Sequence, residues 1–145
     1  GTVLTEEQAD EAISAGAAFI VTPGMDQDIV RYCQERGIAV IPGCTTPTDY
    51  HTAFRLGLEV IKFFPAEPAG GLKMIKAVAA PYTTLKFMPT GGISPQNVRE
   101  YLAYNRILAC GGSWMVKQDL IKAGKFDEIE AMVREAADIV KEIRG

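Results

Sequence analysis

The sequence predicts an α/β fold of parallel strands, of the (β/α)8 TIM-barrel type, and three observations support this prediction. Short apolar runs alternate along the chain with segments of helical periodicity, which is typical of successive βα units. The runs are apolar on both faces, as expected of parallel strands covered by helices. A proline or glycine follows each run at similar intervals from Pro23 to Gly111. The chain therefore reads as five βα units of similar length.

The strands are predicted at the apolar runs. Each run is too far from the next for a tight hairpin, and helical segments separate them, so we expect the strands to be parallel. The predicted strands are 18–21, 38–41, 60–64, 85–88 and 107–110.

Capping residues mark where helices begin. Thr5 and Gln8 have the spacing of a capping box, before a helix expected to end near Gly16. Thr46-Pro47 and Ser94-Pro95 each place a hydroxyl before a proline, which predicts an N-cap followed by the first helical residue. Apolar residues repeat at helical spacing over 126–143 and predict an amphipathic closing helix.

Two architectures fit such alternation, an open doubly wound sheet and a closed barrel. The sequence contains no G-x-G-x-x-G or G-x-x-x-x-G-K-S/T phosphate loop, so the barrel is favoured. A complete barrel takes at least about 200 residues. We therefore predict that residues 1–145 form a single domain, a partial barrel that lacks about the first two βα units and has five complete parallel strands.

Composition excludes several classes of function. The formal net charge is −3 and lysine and arginine do not cluster, so we expect no nucleic-acid partner. No apolar run approaches the length of a membrane span, so we expect no membrane partner. The three cysteines and one histidine lack the spacing of a metal site; we expect reduced thiols, no metal, no cofactor and a cytoplasmic location.

Lys62 lies inside the apolar run 60–64, where its ammonium group is not easily solvated. Desolvation lowers a lysine pKa, and a neutral amine at a strand end is the nucleophile for a Schiff base with a ketone. The alternative is a lysine that extends to the strand end or pairs with a carboxylate. Lys86 also lies three residues before the proline that ends its strand, so sequence position alone leaves the choice between the two lysines open.

Glycine turns follow the last two predicted strands, at Thr90-Gly91-Gly92 and Gly111-Gly112-Ser113. Their amide groups, with the positive end of a helix starting at Ser94, suit a phosphate. Either turn alone is more often only a tight turn. Their occurrence on the last two strands predicts a phosphate site, as is common in barrels.

Two further polar residues have simpler interpretations. Glu67 follows a strand end and could be a general base, but a solvated loop carboxylate is the more common case. His51 falls in a predicted helix away from any strand end, and we expect it to be structural.

Phe63 and Phe64 should point to opposite faces of their strand.

Six strings of this sequence, covering the chain in order, closely resemble the 2-keto-3-deoxy-6-phosphogluconate aldolases, also called 4-hydroxy-2-oxoglutarate aldolases. The most specific are Lys-Phe-Phe-Pro-Ala-Glu and Pro-Thr-Gly-Gly-Ile. The strings are Gly1-Thr2-Val3-Leu4, Thr22-Pro23-Gly24, Ile41-Pro42-Gly43, Lys62-Phe63-Phe64-Pro65-Ala66-Glu67, Pro89-Thr90-Gly91-Gly92-Ile93 and Gly111-Gly112-Ser113-Trp114.

The resemblance implies a class I aldolase, a (β/α)8 barrel that is usually trimeric and needs no metal. Lys62 would be the catalytic Schiff-base lysine, attacking the substrate ketone before the sugar acid is cleaved to pyruvate and glyceraldehyde 3-phosphate. The same chemistry would cleave 4-hydroxy-2-oxoglutarate to pyruvate and glyoxylate. The implied substrate-binding residues are Thr2, Pro23, Phe64, Thr90, Gly91, Gly92, Gly112 and Ser113, the last four of these at the phosphate.

The chain departs from the family pattern at its front. The family has about two βα units before Gly-Thr-Val-Leu, and they supply a general acid/base glutamate and a carboxylate-binding arginine. No motif here replaces either residue, so those roles are left unassigned. Three hypotheses stay open: the aldolase, a phosphate-binding barrel isomerase or synthase without a covalent intermediate, and a non-catalytic barrel fragment that keeps phosphate binding or oligomer packing.

Overall fold

The structure, a computed structural model, describes residues 2–145. Gly1, the first residue of the Gly-Thr-Val-Leu string, lies outside the described residues. Strands and helices alternate over most of the chain, as the sequence predicts. The elements are α1 (Glu6–Ser14), β1 (Phe19–Val21), α2 (Gln27–Glu35), β2 (Ala39–Ile41), β3 (Gly43–Cys44), α3 (Pro47–Arg55), β4 (Val60–Phe63), α4 (Gly71–Ala79), β5 (Lys86–Pro89), α5 (Val98–Ala103), α6 (Gln118–Lys122) and α7 (Phe126–Arg144).

Every strand pair is parallel, which confirms the α/β prediction. β1 pairs with β2, and β3, β4 and β5 pair in that order. The strand predicted over 38–41 is present as β2. An additional short strand, β3, follows it as a separate piece, because Pro42 between them has no N–H to donate to a ladder. The carbonyl of Pro42 accepts a hydrogen bond from the Lys62 amide at 2.9 Å and joins the two sheets at this point.

The prediction of a fifth regular strand over 107–110 is wrong. This segment lies beside β5 but pairs with it only at two isolated parallel bridges, Phe87 with Ile107 and Thr90 with Gly111. The ladder is interrupted because Pro89 has no N–H; its carbonyl accepts instead from the Gly111 amide at 2.9 Å. This segment nevertheless brings the second glycine turn beside the first.

The predicted caps are partly correct. Thr5 accepts from the Gln8 amide at 3.2 Å, but the Gln8 side chain accepts from the Leu4 amide, not from the N-cap itself as a capping box requires. Thr46 forms a complete capping box with Asp49. The closing helix is confirmed in α7.

The helix start predicted at Ser94-Pro95 is wrong. α5 begins at Val98 with Asn97 at its N-cap, and it has six residues. The Asn97 side chain accepts from the Ser94 amide at 2.9 Å, so these residues form a turn ahead of the helix.

Two buried clusters hold the strands against the helices. The larger one joins β3, β4 and β5 with α3, α4, α5 and α7, and the smaller one joins β1 and β2 with α1 and α2. Ile61, Phe63 and Phe87 are fully buried on the helix side of the second sheet. Phe64 is only half-buried, so the two neighbouring phenylalanines have different environments, as predicted.

Other sequence expectations concern absent features. Within residues 2–145, no helix has the length and apolarity needed to cross a membrane. The same residues contain no group of three or more His, Cys, Asp or Glu side chains arranged to hold a metal ion. His51 lies exposed on α3, away from the strand ends.

Gly43 is the position where a side chain is least tolerated by the backbone. An ideal Cβ on Gly43 would lie 2.0 Å from the carbonyl oxygen of Pro23, and neither backbone can yield without moving a strand. We expect Gly43→Ala to lower the free energy of unfolding by about 3 kcal/mol or more. Gly24→Ala is the matched control, because a Cβ there meets no atom within 4 Å and the φ angle is not positive.

Urea unfolding followed by circular dichroism measures both variants. Gly24→Ala should stay within about 0.5 kcal/mol of the unsubstituted chain. Equal unfolding midpoints for the two variants would contradict the close packing of Pro23 on Gly43.

Candidate active site

Lys62 is placed by β4 on the sheet face opposite the helices. Its strand neighbours Ile61 and Phe63 are fully buried, while Lys62 itself is only partly buried. In the sheet register Lys62 pairs with Gly43 on one side and with Met88 on the other. Gly43 has no side chain, and the Pro23 carbonyl oxygen lies close to where its Cβ would be, so the backbone beyond β1 packs tightly against this register neighbour of the lysine.

The environment of the Lys62 amine favours its neutral form. Burial lowers the pKa of Lys62 below the ordinary lysine value. No carboxylate among residues 2–145 forms an ion pair with it. The pairing alternative raised by the sequence is therefore not observed in this part of the chain. A partly desolvated, unpaired amine is a suitable nucleophile for a carbonyl carbon.

The ring of Phe64 lies next to the amine. The distance from Lys62 Nζ to the ring centroid is 4.2 Å, within the range of a cation–π contact. A protonated iminium formed on Nζ is also a cation. The same ring would therefore stabilise that intermediate.

The register separates Lys62 from Lys86. Lys86 pairs with Val60, whereas Lys62 pairs with Met88. Lys86 therefore lies two positions earlier along the sheet, or about 6.6 Å farther from the carboxyl ends of the strands. It is exposed, and only Lys62 is near the polar turns at those ends.

The two glycine turns meet in one cavity. Thr90 and Gly111 form a parallel bridge, which sets the turns side by side. The cavity has a volume of about 350 Å³ and is lined by Phe64, Thr90, Gly91, Gly92, Ile93, Gly111, Gly112 and Ser113. Phe64 is thus shared between this cavity and the Lys62 amine.

The turns present unpaired amide donors. Across the described part of the chain, no protein group accepts a hydrogen bond from the amides of Gly91, Gly92, Gly112 or Ser113. Gly91 and Gly92 have φ angles of 97° and 80°, which L side chains rarely adopt. We expected a helix dipole beginning at Ser94 to help bind a phosphate. That expectation is wrong, because α5 starts only at Val98. The turn amides themselves are what could bind an anion.

The loop after β4 is fastened to the first glycine turn. The Ala66 amide donates to the Thr90 carbonyl at 2.8 Å, and the Glu67 amide donates to the Gly91 carbonyl at 3.1 Å. The Glu67 carboxylate accepts a hydrogen bond from the hydroxyl of Tyr101. Glu67 is nevertheless exposed in this loop, as expected from the sequence, and the contact with Tyr101 is an additional feature.

Pro23 and Thr2 lie progressively farther from the amine. The Pro23 carbonyl packs on Gly43, the register neighbour of Lys62. Thr2 forms a parallel bridge with Val21 on the far side of β1. Pro23 lines a separate cavity of about 220 Å³ that lies beside α2. The structure thus places Phe64 in the cavity of the glycine turns and beside the Lys62 amine, places Pro23 just beyond the end of β1, and leaves Thr2 at the outer edge.

Sequence reasoning missed two threonines that shape the strand ends. The Thr45 hydroxyl donates to the Phe64 carbonyl at 2.6 Å, which ties the end of β3 to the residue beside the amine. The Thr22 hydroxyl, on a residue 2% exposed, donates to the Gly24 carbonyl at 2.7 Å. Both residues directly follow a strand, and a polar residue in that position is the signal that could have identified them.

Comparison with known proteins gives consistent matches. A family model described as KDPG and KHG aldolase matches residues 1–132. A 2-dehydro-3-deoxy-phosphogluconate aldolase of Haemophilus influenzae is 50% identical over 97% of this chain and 66% of its own length. The chain thus spans slightly less than two thirds of the length of this relative.

Two solved structures are also similar. A KDPG aldolase from Legionella pneumophila, with pyruvate captured as a covalent carbinolamine intermediate, has a TM-score of 0.85 and 31% identity, covering 99% of this chain and 66% of that one. A 2-keto-3-deoxy-6-phosphogluconate aldolase from Zymomonas mobilis with 3-phosphoglycerate has a TM-score of 0.79 and 40% identity, covering 81% of this chain and 56% of that one.

Proposed function

Because the chain belongs to the KDPG and KHG aldolase family, we propose that it carries the nucleophile and the phosphate site of a class I aldolase. The substrate is 2-keto-3-deoxy-6-phosphogluconate, cleaved to pyruvate and glyceraldehyde 3-phosphate. The single observation that carries the proposal is the Lys62 amine, which is partly buried, unpaired within residues 2–145 and 4.2 Å from the Phe64 ring. The same amine would act on 4-hydroxy-2-oxoglutarate, releasing pyruvate and glyoxylate.

Lys62 Nζ adds to the C2 ketone, and the resulting carbinolamine loses water to give a protonated iminium. A base removes the proton of the C4 hydroxyl, the C3–C4 bond breaks and its electron pair moves toward the iminium nitrogen. This releases glyceraldehyde 3-phosphate and leaves an enamine. Protonation at C3 restores the iminium, and water then releases pyruvate and the free amine. The Legionella pneumophila relative, captured with pyruvate as a carbinolamine, supports the first step.

The phosphate end of the substrate would lie against the amides of the two glycine turns. Backbone N–H groups free of protein acceptors are suitable ligands for a phosphate. The Zymomonas mobilis relative with 3-phosphoglycerate supports a site for a three-carbon phosphate in this family. Pro23 and Thr2 would contact the keto-acid end.

In this proposal, residues 1–145 form a single domain, and its parallel strands are part of a (β/α)8 barrel. The segment around Thr2 borders β1, and the segment 107–111 borders β5, so these form the two outer edges of the described strands. Barrel closure needs further strands between those edges. The homotrimer and the cytoplasmic location implied by the resemblance stay predictions.

Trapping with sodium borohydride distinguishes the aldolase from the two alternatives. An iminium with pyruvate is reduced to a stable secondary amine, so the intact mass of an aldolase chain increases by one reduced pyruvyl group. A barrel isomerase or synthase without a covalent intermediate, or a non-catalytic fragment, would retain its original mass. An unchanged mass after reduction at saturating pyruvate would contradict the proposed function.

The phosphate site predicts protection of specific amides. Inorganic phosphate should slow hydrogen exchange at Gly91, Gly92 and Gly112, measured by NMR at constant ionic strength with chloride as the comparison anion. Ser113→Asp should weaken phosphate binding roughly tenfold, because it places a like charge at an exposed position of the cavity rim. Ser113→Asn is the matched control, with the same size and no charge. Exchange rates that phosphate leaves unchanged would rule out the site.

Ser113 is preferable to Gly112 for this test. An ideal Cβ on Gly112 would lie 1.8 Å from the indole of Trp114, so any side chain there would also displace that ring. Loss of binding in a Gly112 variant would not separate charge from packing.

A further inference from the structure

A negative side chain lies directly against the candidate phosphate site. An ideal Cβ on Gly92 would be 2.6 Å from both Cβ and Cγ of Glu67, so the Glu67 side chain crosses the face of that glycine. The Glu67 backbone is held beside the glycine turn, because the Glu67 amide donates to the Gly91 carbonyl at 3.1 Å. A carboxylate this close to an anion site would compete with the ligand unless its position is controlled.

Tyr101 is the residue that fixes the position of that carboxylate. It lies on α5 and is 2% exposed, and its hydroxyl donates to Glu67 Oε1. Across residues 2–145, no lysine or arginine forms an ion pair with Glu67. Burial and the neighbouring Glu67 carboxylate both raise the pKa of Tyr101, so the hydroxyl keeps its proton and acts as a donor.

A glycine completes the space around this hydrogen bond. Gly71 has a φ angle of 59°, and an ideal Cβ there would lie 3.0 Å from both Glu67 Oε1 and the Tyr101 hydroxyl oxygen. The first residue of α4 therefore leaves just enough room for the carboxylate and the hydroxyl to meet.

We propose that Tyr101 is a positioning residue for phosphate binding: its hydroxyl holds the Glu67 carboxylate against α5 and so keeps that charge out of the cavity between the glycine turns. Glu67 can then support the Gly91-Gly92 turn with its backbone and methylene carbons. The inference rests on the phosphate site of the proposed function. It concerns Tyr101 and Glu67, neither of which the sequence analysis placed at the phosphate.

A double-substitution cycle tests the inference. Inorganic phosphate is titrated into the full chain, and its affinity is measured from amide shifts of the glycine turns. Tyr101→Phe frees the Glu67 carboxylate and should weaken phosphate binding roughly tenfold. Glu67→Gln retains the acceptor oxygen without the charge and should bind phosphate at least as tightly as the unsubstituted chain. The double variant should regain an affinity within about twofold of the unsubstituted chain, because the repulsion is gone.

Rescue is the result that a purely structural role would not give. A double variant as weak as Tyr101→Phe, or a Tyr101→Phe variant with unchanged affinity, would overturn the inference while the phosphate site stands. Absence of phosphate binding in the unsubstituted chain would overturn both. Borohydride trapping of pyruvate, run on all four proteins, reports the Lys62 amine separately and should be equal in each.

A second pair of variants avoids the buried tyrosine, should Tyr101→Phe not fold. Glu67→Asp keeps the charge on a side chain too short to reach the Tyr101 hydroxyl, whereas Glu67→Asn has the same length and no charge. We expect weaker phosphate binding for Glu67→Asp than for Glu67→Asn. Equal affinities for these two variants would overturn the inference.

Discussion

Residues 1–145 alone are expected to cleave 2-keto-3-deoxy-6-phosphogluconate at least about 10³-fold more slowly than the same residues joined to the leading βα units of a complete relative. The reason is proton transfer. The family resemblance assigns the general acid/base glutamate and a carboxylate-binding arginine to those leading units, and a positioned acid/base contributes about 10²–10⁴-fold in rate. An open barrel also admits water, which weakens electrostatic interactions inside the site.

The measurement is pyruvate release, coupled to lactate dehydrogenase, from the two proteins at equal concentration. The Haemophilus influenzae relative, 50% identical over the matched region, is a suitable donor of the leading units. Its units should also sharpen the thermal unfolding transition, because they cover the strand edges at Thr2 and at 107–111. Turnover by residues 1–145 near that of the joined protein would show that a group within them transfers the proton, with Glu67 the first to test by Glu67→Gln.

In the joined protein, Lys62→Met should lower turnover by more than about 10⁴-fold, to the background rate. Methionine is one atom shorter than lysine and keeps an unbranched apolar stem, so most of the packing beside Phe64 is retained, but it cannot form an iminium and the nucleophile is lost. Lys86→Met is the matched control: it removes a lysine from the same sheet face, two positions farther from the strand ends. That variant should turn over close to the unmodified rate.

Comparable losses in the two lysine variants would point to a structural role for both side chains. Loss of activity with Lys86→Met alone would move the nucleophile to Lys86 and contradict the register argument.

Local sequence patterns predicted most of the helices and strands. They failed mainly where a single proline interrupts the hydrogen-bond ladder between neighbouring strands. Periodicity located four of the five apolar runs as strands, and α7 follows from its apolar repeat. Pro42 and Pro89 each interrupt a ladder because they lack an N–H. As a result an unpredicted strand, β3, follows β2 as a separate piece, and 107–110 has bridges only. Ser94-Pro95 has the pattern of a helix start, yet α5 begins only after Asn97, whose side chain makes no capping hydrogen bond to the helix and accepts instead from the Ser94 amide.

The candidate site was predictable wherever its residues follow a strand end. Phe64 and the glycine turns are of this kind, whereas Lys62 lies within β4 and was indicated by its position inside an apolar run. Spacing to a proline left the choice between Lys62 and Lys86 open, and the family resemblance assigned Lys62. The register supports that assignment, because it places Lys62 two positions nearer the carboxyl ends of the strands than Lys86. The bond between Tyr101 and Glu67 joins residues 34 positions apart, and no local pattern indicates which carboxylate a tyrosine will meet.

The central claim is that Lys62 forms a Schiff base, and site-resolved borohydride trapping tests it most directly. Residues 1–145 are incubated with pyruvate, reduced, digested and analysed by tandem mass spectrometry, with Lys62→Met and Lys86→Met treated in parallel. We predict one reduced pyruvyl group, on Lys62, present in Lys86→Met and absent from Lys62→Met. An adduct on Lys86, or an adduct that persists at another lysine in Lys62→Met, would contradict the claim.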